Sequence, residues 1–312
     1  MIYEYAVEPK VVVEWGKDRK LYCYFRDKFG VGTIRIMSEY PIYNEWRKQL
    51  FKAYNSVIDD MERQRITALI GLLTEIMITR NNSNYDSNSS WLVNAEEEDK
   101  RCPFQAILSC QNPNNNQKIL SGQISNIDSD LKWSLKSQFS FKRTANEMAK
   151  IISSMLRKCN IAVFIDPYFR ANQRSFREPL IAFLTEISQK CNNSNSVSLE
   201  LHVSADIYNA PSFEFFRDEC VKNMPNCIPK DLKILFKRWK RRNNGPDLHD
   251  RYILTDIGGI TSTRGLDSDD SGSETNFILL EKQVYIHLWN DYVNDPAFDL
   301  DGTEFEIIGR RR

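Results

Sequence analysis

Histidine is scarce in this chain: there are three in 312 residues, alongside only 12 glycines. The seven cysteines are odd in number and scattered, with no C-x-x-C pair. Zinc sites need closely spaced ligand pairs, and disulfide frameworks use an even count. Reduced, mostly buried thiols are therefore expected, with no metal and no cofactor. Net charge is missing too, since 42 Lys+Arg balance 42 Asp+Glu. Attraction to nucleic acid or anionic lipid must come from local patches. No apolar run reaches the length of a membrane span. The opening MIYEYAVEPKVVVEW carries acidic residues early and lacks a long apolar core, so it is not expected to be a signal peptide, and a cytoplasmic chain is expected. What is present is 41% hydrophobic, 12% aromatic and 27% charged. That is a globular composition, enough for one large domain or two ordinary ones.

A change of pattern near residue 142 predicts two domains. In residues 1–142 the clearest periodicity spans 41–80. There Trp46, Leu50, Tyr54, Val57, Ile58, Met61, Leu69, Leu73, Ile76 and Met77 recur at three- and four-residue steps and read as core contacts of a helix. The polar tract NNSNYDSNSS (81–90) reads as a loop. PFQAILSC (103–110) reads as a strand, with KILSGQIS as its partner. This half is expected to be mainly helical, of α+β type, and its role is not legible.

Residues 143–312 alternate. RTANEMAKIISSMLRKC has an apolar side of Met148, Ile151, Ile152, Met155 and Leu156. It runs into NIAVFIDPYF, a continuous apolar stretch typical of a strand buried on both faces. Further helices (EPLIAFLTEISQK, SFEFFRDECVKN) and strands (VSLELHVSA, LKILFKRW) follow, then LHDRYILTDIGGI and a closing helix, LLEKQVYIHLWNDYV. The prediction is an α/β domain with a mixed or mainly parallel sheet flanked by helices.

LHDRYILTD carries the chemistry. Side chains at i and i+2 of a strand share a face, so a strand over 248–255 would set His249 beside Arg251. A guanidinium grips two phosphate oxygens, and an imidazole can act as nucleophile or proton carrier. Asp256 at the strand end could orient the ring or balance the arginine. Asp166 and Tyr168, after the first strand of the unit, are candidates for the pocket floor, although an Asp-Pro pair also simply starts a turn. The run KILFKRWKRR supplies Lys237, Arg238, Lys240, Arg241 and Arg242 around Phe236 and Trp239. It reads either as a track for a nucleic-acid backbone or anionic lipid, or as a solvated strand edge.

HDRYILTD is similar to the H-x-K-x-x-x-x-D signature of the phospholipase D superfamily, with Arg251 in the lysine position. The order of helices and strands around it matches across residues 143–312. The resemblance implies a metal-independent phosphodiesterase, most readily a nuclease, in which His249 forms a phosphohistidine and Arg251 holds the non-bridging oxygens. One motif copy per chain implies a homodimer, with the second His249 as general acid. Where the family continues with a Gly-Ser-x-Asn element, this chain has TSTRGLD, offering Ser262, Arg264 and Asp267, with Arg264 a further phosphate contact. The sequence also resembles phospholipase-D-like modules that bind lipid or partners without catalysis, and the alternative it implies is an inactive module that binds nucleic acid or anionic lipid. It is similar as well to uncharacterised bacterial proteins, which suggests a subunit of an antiviral-defence or mobile-element assembly with partner proteins.

Overall fold

A computed structural model describes residues 1–57, 59–80, 84–121, 127–189, 197–269 and 271–311. Ile58, Cys191, residues 81–83 of the polar loop and residues 122–125 of the second strand candidate lie outside these. The chain is α/β and divides into two compact units, Ile2–Lys136 and Ser137–Arg312, with Met1 counted in the latter.

The first unit is mainly helical, as expected, but its strands form a parallel sheet, so it is of α/β and not α+β type. It holds five strands, β1 (Tyr3–Val7), β2 (Arg35–Ser38), β3 (Met77–Ile78), β4 (Ala106–Leu108) and β5 (Ile119–Leu120), in the order β3-β2-β1-β4-β5. All four pairings are parallel, so β5 joins β4 in parallel and not as a hairpin partner. Strands of two to five residues are too short to print a period on the sequence, and this is why the parallel sheet is not read there. Its helices are α1 (Pro9–Lys17), α2 (Arg19–Phe25), α3 (Tyr43–Tyr54), α4 (Asp60–Ile76) and α5 (Trp91–Arg101). The single helix expected over 41–80 is two. The Asp59 carboxylate accepts from the Glu62 N–H at 2.8 Å and starts a new helix there. Trp46, Leu50, Val57, Leu69 and Leu73 are buried as expected, but Met61, in the first turn after this cap, is exposed. One face of the sheet packs Tyr5, Val7, Trp15, Trp46, Leu73 and Leu108. The other packs Ala6, Tyr40, Trp91, Ala95, Phe104 and Ile107.

The second unit is built on one nine-stranded mixed sheet. Its elements are β6 (Gln138–Lys142), α6 (Ala145–Leu156), β7 (Ile161–Ile165), α7 (Arg174–Ser188), β8 (Ser198–Ser204), α8 (Phe213–Asn223), β9 (Lys233–Lys240), β10 (Arg251–Thr255), β11 (Gly258–Ser262), β12 (Glu274–Leu279), α9 (Lys282–Trp289), a π-helical turn (Asn290–Asn294), β13 (Asp299–Leu300) and β14 (Phe305–Ile308). The order is β13-β9-β8-β7-β10-β11-β12-β6, with β14 also on β9. Only β7, β8 and β9 are mutually parallel, whereas β10, β11, β12 and β6 run antiparallel. β6 pairs with β12, so this unit begins a few residues before 142. The apolar runs of β7 and β8 are buried on both faces, the expected mark of strands inside a helix-covered sheet.

One detail of α7 fixes the loop after β11. Pro179 lies inside the helix and has no N–H to give to the carbonyl of Ser175. That carbonyl instead accepts from the backbone N–H of Ser268 at 2.8 Å and from its hydroxyl at 3.2 Å. A helix-breaking residue thus frees an acceptor that anchors the loop beside the candidate site. Of the cysteines, Cys159, Cys220 and Cys227 are buried thiols, and Cys23 and Cys110 are exposed thiols. Cys102 is disulfide-bonded, which corrects the expectation of uniformly reduced thiols: even count and close spacing describe frameworks, not a single bond.

Candidate functional site

At the carboxyl end of β7 the chain turns at Asp166-Pro167. The Asp166 carboxylate accepts the Tyr168 N–H at 3.0 Å and, with its other oxygen, the Leu266 N–H at 3.0 Å. The first bond closes the turn that lifts Tyr168 over the strand end. The second ties in the loop that follows β11. Burial pushes the Asp166 carboxyl up to about 6, against the pull of its two backbone donors and of Arg251.

Tyr168 is the centre of the site. The Arg251 guanidinium lies 4.5 Å from its ring centroid, a cation–π distance. The His249 ring meets it edge-on, with centroids 6.0 Å apart and planes at 88°. One aromatic side chain therefore braces both motif residues. Arg251 opens β10 opposite Ser262, and its Nε is buried without a hydrogen-bond partner among the described residues. His249 does not stand in the strand as the parity reading expects. It precedes it, in a loop, with its side chain 67% exposed and its Nδ1 3.8 Å from Asp250. The shared ring, and not strand parity, brings it to Arg251.

Two further arginines belong to this edge. Arg170 feels both Arg238 and Asp166, and burial holds its guanidinium below the usual range. Arg238 donates to the Pro211 carbonyl at 2.6 Å and pairs with Asp301 at 3.1 Å, while its Nη1 is buried without a partner among the described residues. Arg170, like Tyr168, is a residue whose role the sequence leaves ambiguous. Its only signal is its place four residues after Asp166 in DPYFR.

Asp256 is elsewhere. It follows the far end of β10, roughly 16 Å of strand from Arg251 at about 3.3 Å per residue. There it accepts from the N–H groups of Asn160 at 2.8 Å and Ile161 at 3.2 Å, and from the Asn160 amide at 3.1 Å. It clamps the start of β7 and orients no imidazole. Ser262 is buried and gives its hydroxyl to the Gly265 carbonyl at 2.9 Å. Asp267 pairs with Arg143 across Gly265, where any Cβ would collide with both side chains. Arg264 is exposed on the same loop.

The basic run is not an open track. Lys237 pairs with Glu200 at 2.6 Å, Lys240 with Asp301 at 2.6 Å, Arg241 with Asp247 at 2.8 Å and Arg242 with Asp299 at 2.9 Å. With Arg238 on Asp301 as well, every cation of the run has a carboxylate. Lys237 points to the opposite face of the sheet from Arg238, since side chains alternate along β9. There Glu200 also holds the fully buried His202 at 2.8 Å. Apart from Asp247, five residues after the run, these acids come from β8 and from the segment 299–301, which is why the sequence does not reveal the pairing.

Among the described residues no group of three or more His, Cys, Asp and Glu could hold a metal ion, and no helix is long and apolar enough to cross a membrane. No protein-family profile and no curated protein matches the chain. Among solved structures, TrmBL2, an archaeal chromatin protein with a novel mode of DNA binding, is similar at 7% identity and a TM-score of 0.28. The match covers 54% of this chain and 55% of that one, and at that score it decides nothing here.

Proposed function

We propose that the Ser137–Arg312 unit is a phospholipase-D-like module that recognises one phosphodiester, with nucleic acid as its source, through Arg251 and His249. The observation that carries this reading is the Tyr168 ring, which holds the guanidinium and the imidazole together beside a buried, unsatisfied Arg251 Nε. A buried donor without an acceptor costs about 1–3 kcal/mol, and a phosphate oxygen would recover it. Arginine presents its donors as a planar fork that matches two non-bridging oxygens. The carboxyl ends of parallel strands are where such sheets place ligands. Because the basic run is already ion-paired, recognition is local, not spread along a polymer.

Hydrolysis is the second reading, and the exposure of His249 favours it. Its imidazole would attack phosphorus, forming the N–P bond as the P–O bond to the leaving group breaks. The departing oxygen would take its proton from His249 of a second copy. Water would then cleave the phosphohistidine, with that second imidazole as base. Such a role as a nuclease, in an antiviral or mobile-element setting with partner proteins, rests on the family resemblance alone.

The experiment is a titration of labelled single-stranded DNA and RNA, and of vesicles with and without anionic lipid, in EDTA across a salt series. A single phosphate contact predicts a slope of log K against log salt near −1, whereas a track of five or six cations would give about −4. Binding to vesicles but not to oligonucleotides would move the reading to lipid. Cleavage in EDTA that disappears in His249→Ala would promote the second reading over the first.

A further inference from the structure

The strand order of the Ile2–Lys136 unit contains a switch. From β1 the chain moves outward through β2 to β3, then returns to the other side of β1 to lay down β4 and β5. The connections leaving β1 and β4 therefore run to opposite sides, and a crevice opens between their carboxyl ends. Open parallel sheets bind small molecules at such switch points. Here the crevice is a cavity of about 610 Å³, within the size range of small-molecule sites. Its walls come from the segments after β1 and β4, from α3 on one side and from the start of α5 on the other.

The polar groups of this cavity have a pattern. Glu8, the first residue after β1, accepts the Ser109 hydroxyl at 2.7 Å and the Cys110 N–H at 3.0 Å, both on Oε2. These bonds lock the carboxylate across the two strand ends and leave Oε1 available. Lys10 and Lys52 line the same cavity, both exposed, and neither is within ion-pair distance of a carboxylate among the described residues. The contrast with the fully paired run at 237–242 is direct. The half-buried Tyr85 ring forms another wall, its hydroxyl oxygen accepting from the Gln49 amide at 2.9 Å. The segment EPKVVV that follows β1 contains no glycine, so the close backbone approach that cradles a pyrophosphate is absent.

We propose that this cavity binds a ribonucleoside monophosphate. The Glu8 Oε1 accepts from the ribose hydroxyls, Lys10 and Lys52 hold the single phosphate, and the base lies against Tyr85. Each demand has its own group: a locked carboxylate for a diol, two free ammonium groups for one dianion, and an aromatic wall for a flat ring. The lack of a glycine cradle selects a monophosphate over a dinucleotide. This site is separate in sequence from Arg251 and does not depend on the function proposed above.

The test is calorimetric titration of the full chain with the four ribonucleoside 5′-monophosphates, their 2′-deoxy forms, ribose 5-phosphate and inorganic phosphate. Saturable binding of at least one ribonucleotide, one per chain, is expected. The 2′-deoxy form should bind at least ten-fold more weakly, and ribose 5-phosphate more weakly than the nucleotide. A Lys10→Ala/Lys52→Ala double variant, changed only at exposed positions, should lose at least ten-fold with an unaltered circular dichroism spectrum. Glu8→Gln should erase the preference for the 2′-hydroxyl. Arg251→Ala should leave the affinity unchanged. No saturable binding by any ribonucleotide, or binding that the double variant retains, would overturn the proposal. Inorganic phosphate binding as tightly as the nucleotide would overturn it as well.

Discussion

Asp166→Asn separates the cost of the buried carboxylate from its hydrogen bonds. In the folded protein the carboxyl rises from an ordinary 3.8 to about 6 because burial disfavours its charged form. Between those values the folded state holds a proton that the unfolded chain has released. Stability from this group is therefore complete below about pH 4 and is lost as pH rises through 6. At about 1.36 kcal/mol per pH unit, the loss across the window is roughly 3 kcal/mol. Asparagine cannot ionise and removes that dependence. It keeps one of the two backbone acceptor bonds, so a pH-independent penalty of about 1 kcal/mol remains. Hydrogen exchange of the Ile161–Ile165 strand in urea, followed from about pH 4 to 7.5, reads the stability of the relevant unit. The native protein should lose roughly 3 kcal/mol relative to the variant between pH 4 and 6, then run parallel to it. A difference that stays constant through this window would refute the reasoning.

Three further outcomes follow from the same contacts. Tyr168→Ala should weaken oligonucleotide binding by about 2- to 30-fold, the range of a cation–π contact of roughly 0.5–2 kcal/mol, while Tyr168→Phe keeps the ring and the affinity, both read by anisotropy. Asp256→Ala should lower stability by about 1–3 kcal/mol through the lost clamp on Asn160 and Ile161, with oligonucleotide affinity unchanged. Arg80→Met should cost the first unit about 3–5 kcal/mol in urea unfolding, because it removes the buried guanidinium that meets the Glu4 and Glu98 carboxylates at 2.9 and 2.8 Å, with Arg101 still on Glu98 at 2.7 Å.

The second half was legible because its elements are long and its patterns clean. The apolar side of α6 and the runs of β7 and β8 carry their periods over five to twelve residues. The first half was not, since β3 and β5 are two residues each and only their pairing across the sheet makes them strands. At the site, HDRYILTD and DPYF could each be picked out, but their meeting at one ring is a tertiary fact that no spacing encodes. The same holds for the basic run: six cations in ten residues are visible in KILFKRWKRR, and the carboxylates that neutralise them arrive from β8, from Asp247 and from the segment 299–306. Asp256 shows the converse error, in which a well-spaced residue serves the wrong end of its strand.

In the proposed function Arg251, and not the basic run, holds the phosphate. Anisotropy with one labelled single-stranded oligonucleotide in EDTA, comparing Arg251→Ala with a Lys240→Ala/Arg242→Ala double variant, tests it most directly. A charged hydrogen bond of about 1.5–3 kcal/mol predicts a loss of roughly 10- to 150-fold for Arg251→Ala, with the double variant within two-fold of the native protein. The reverse pattern, affinity lost with Lys240 and Arg242 and kept without Arg251, would contradict the account.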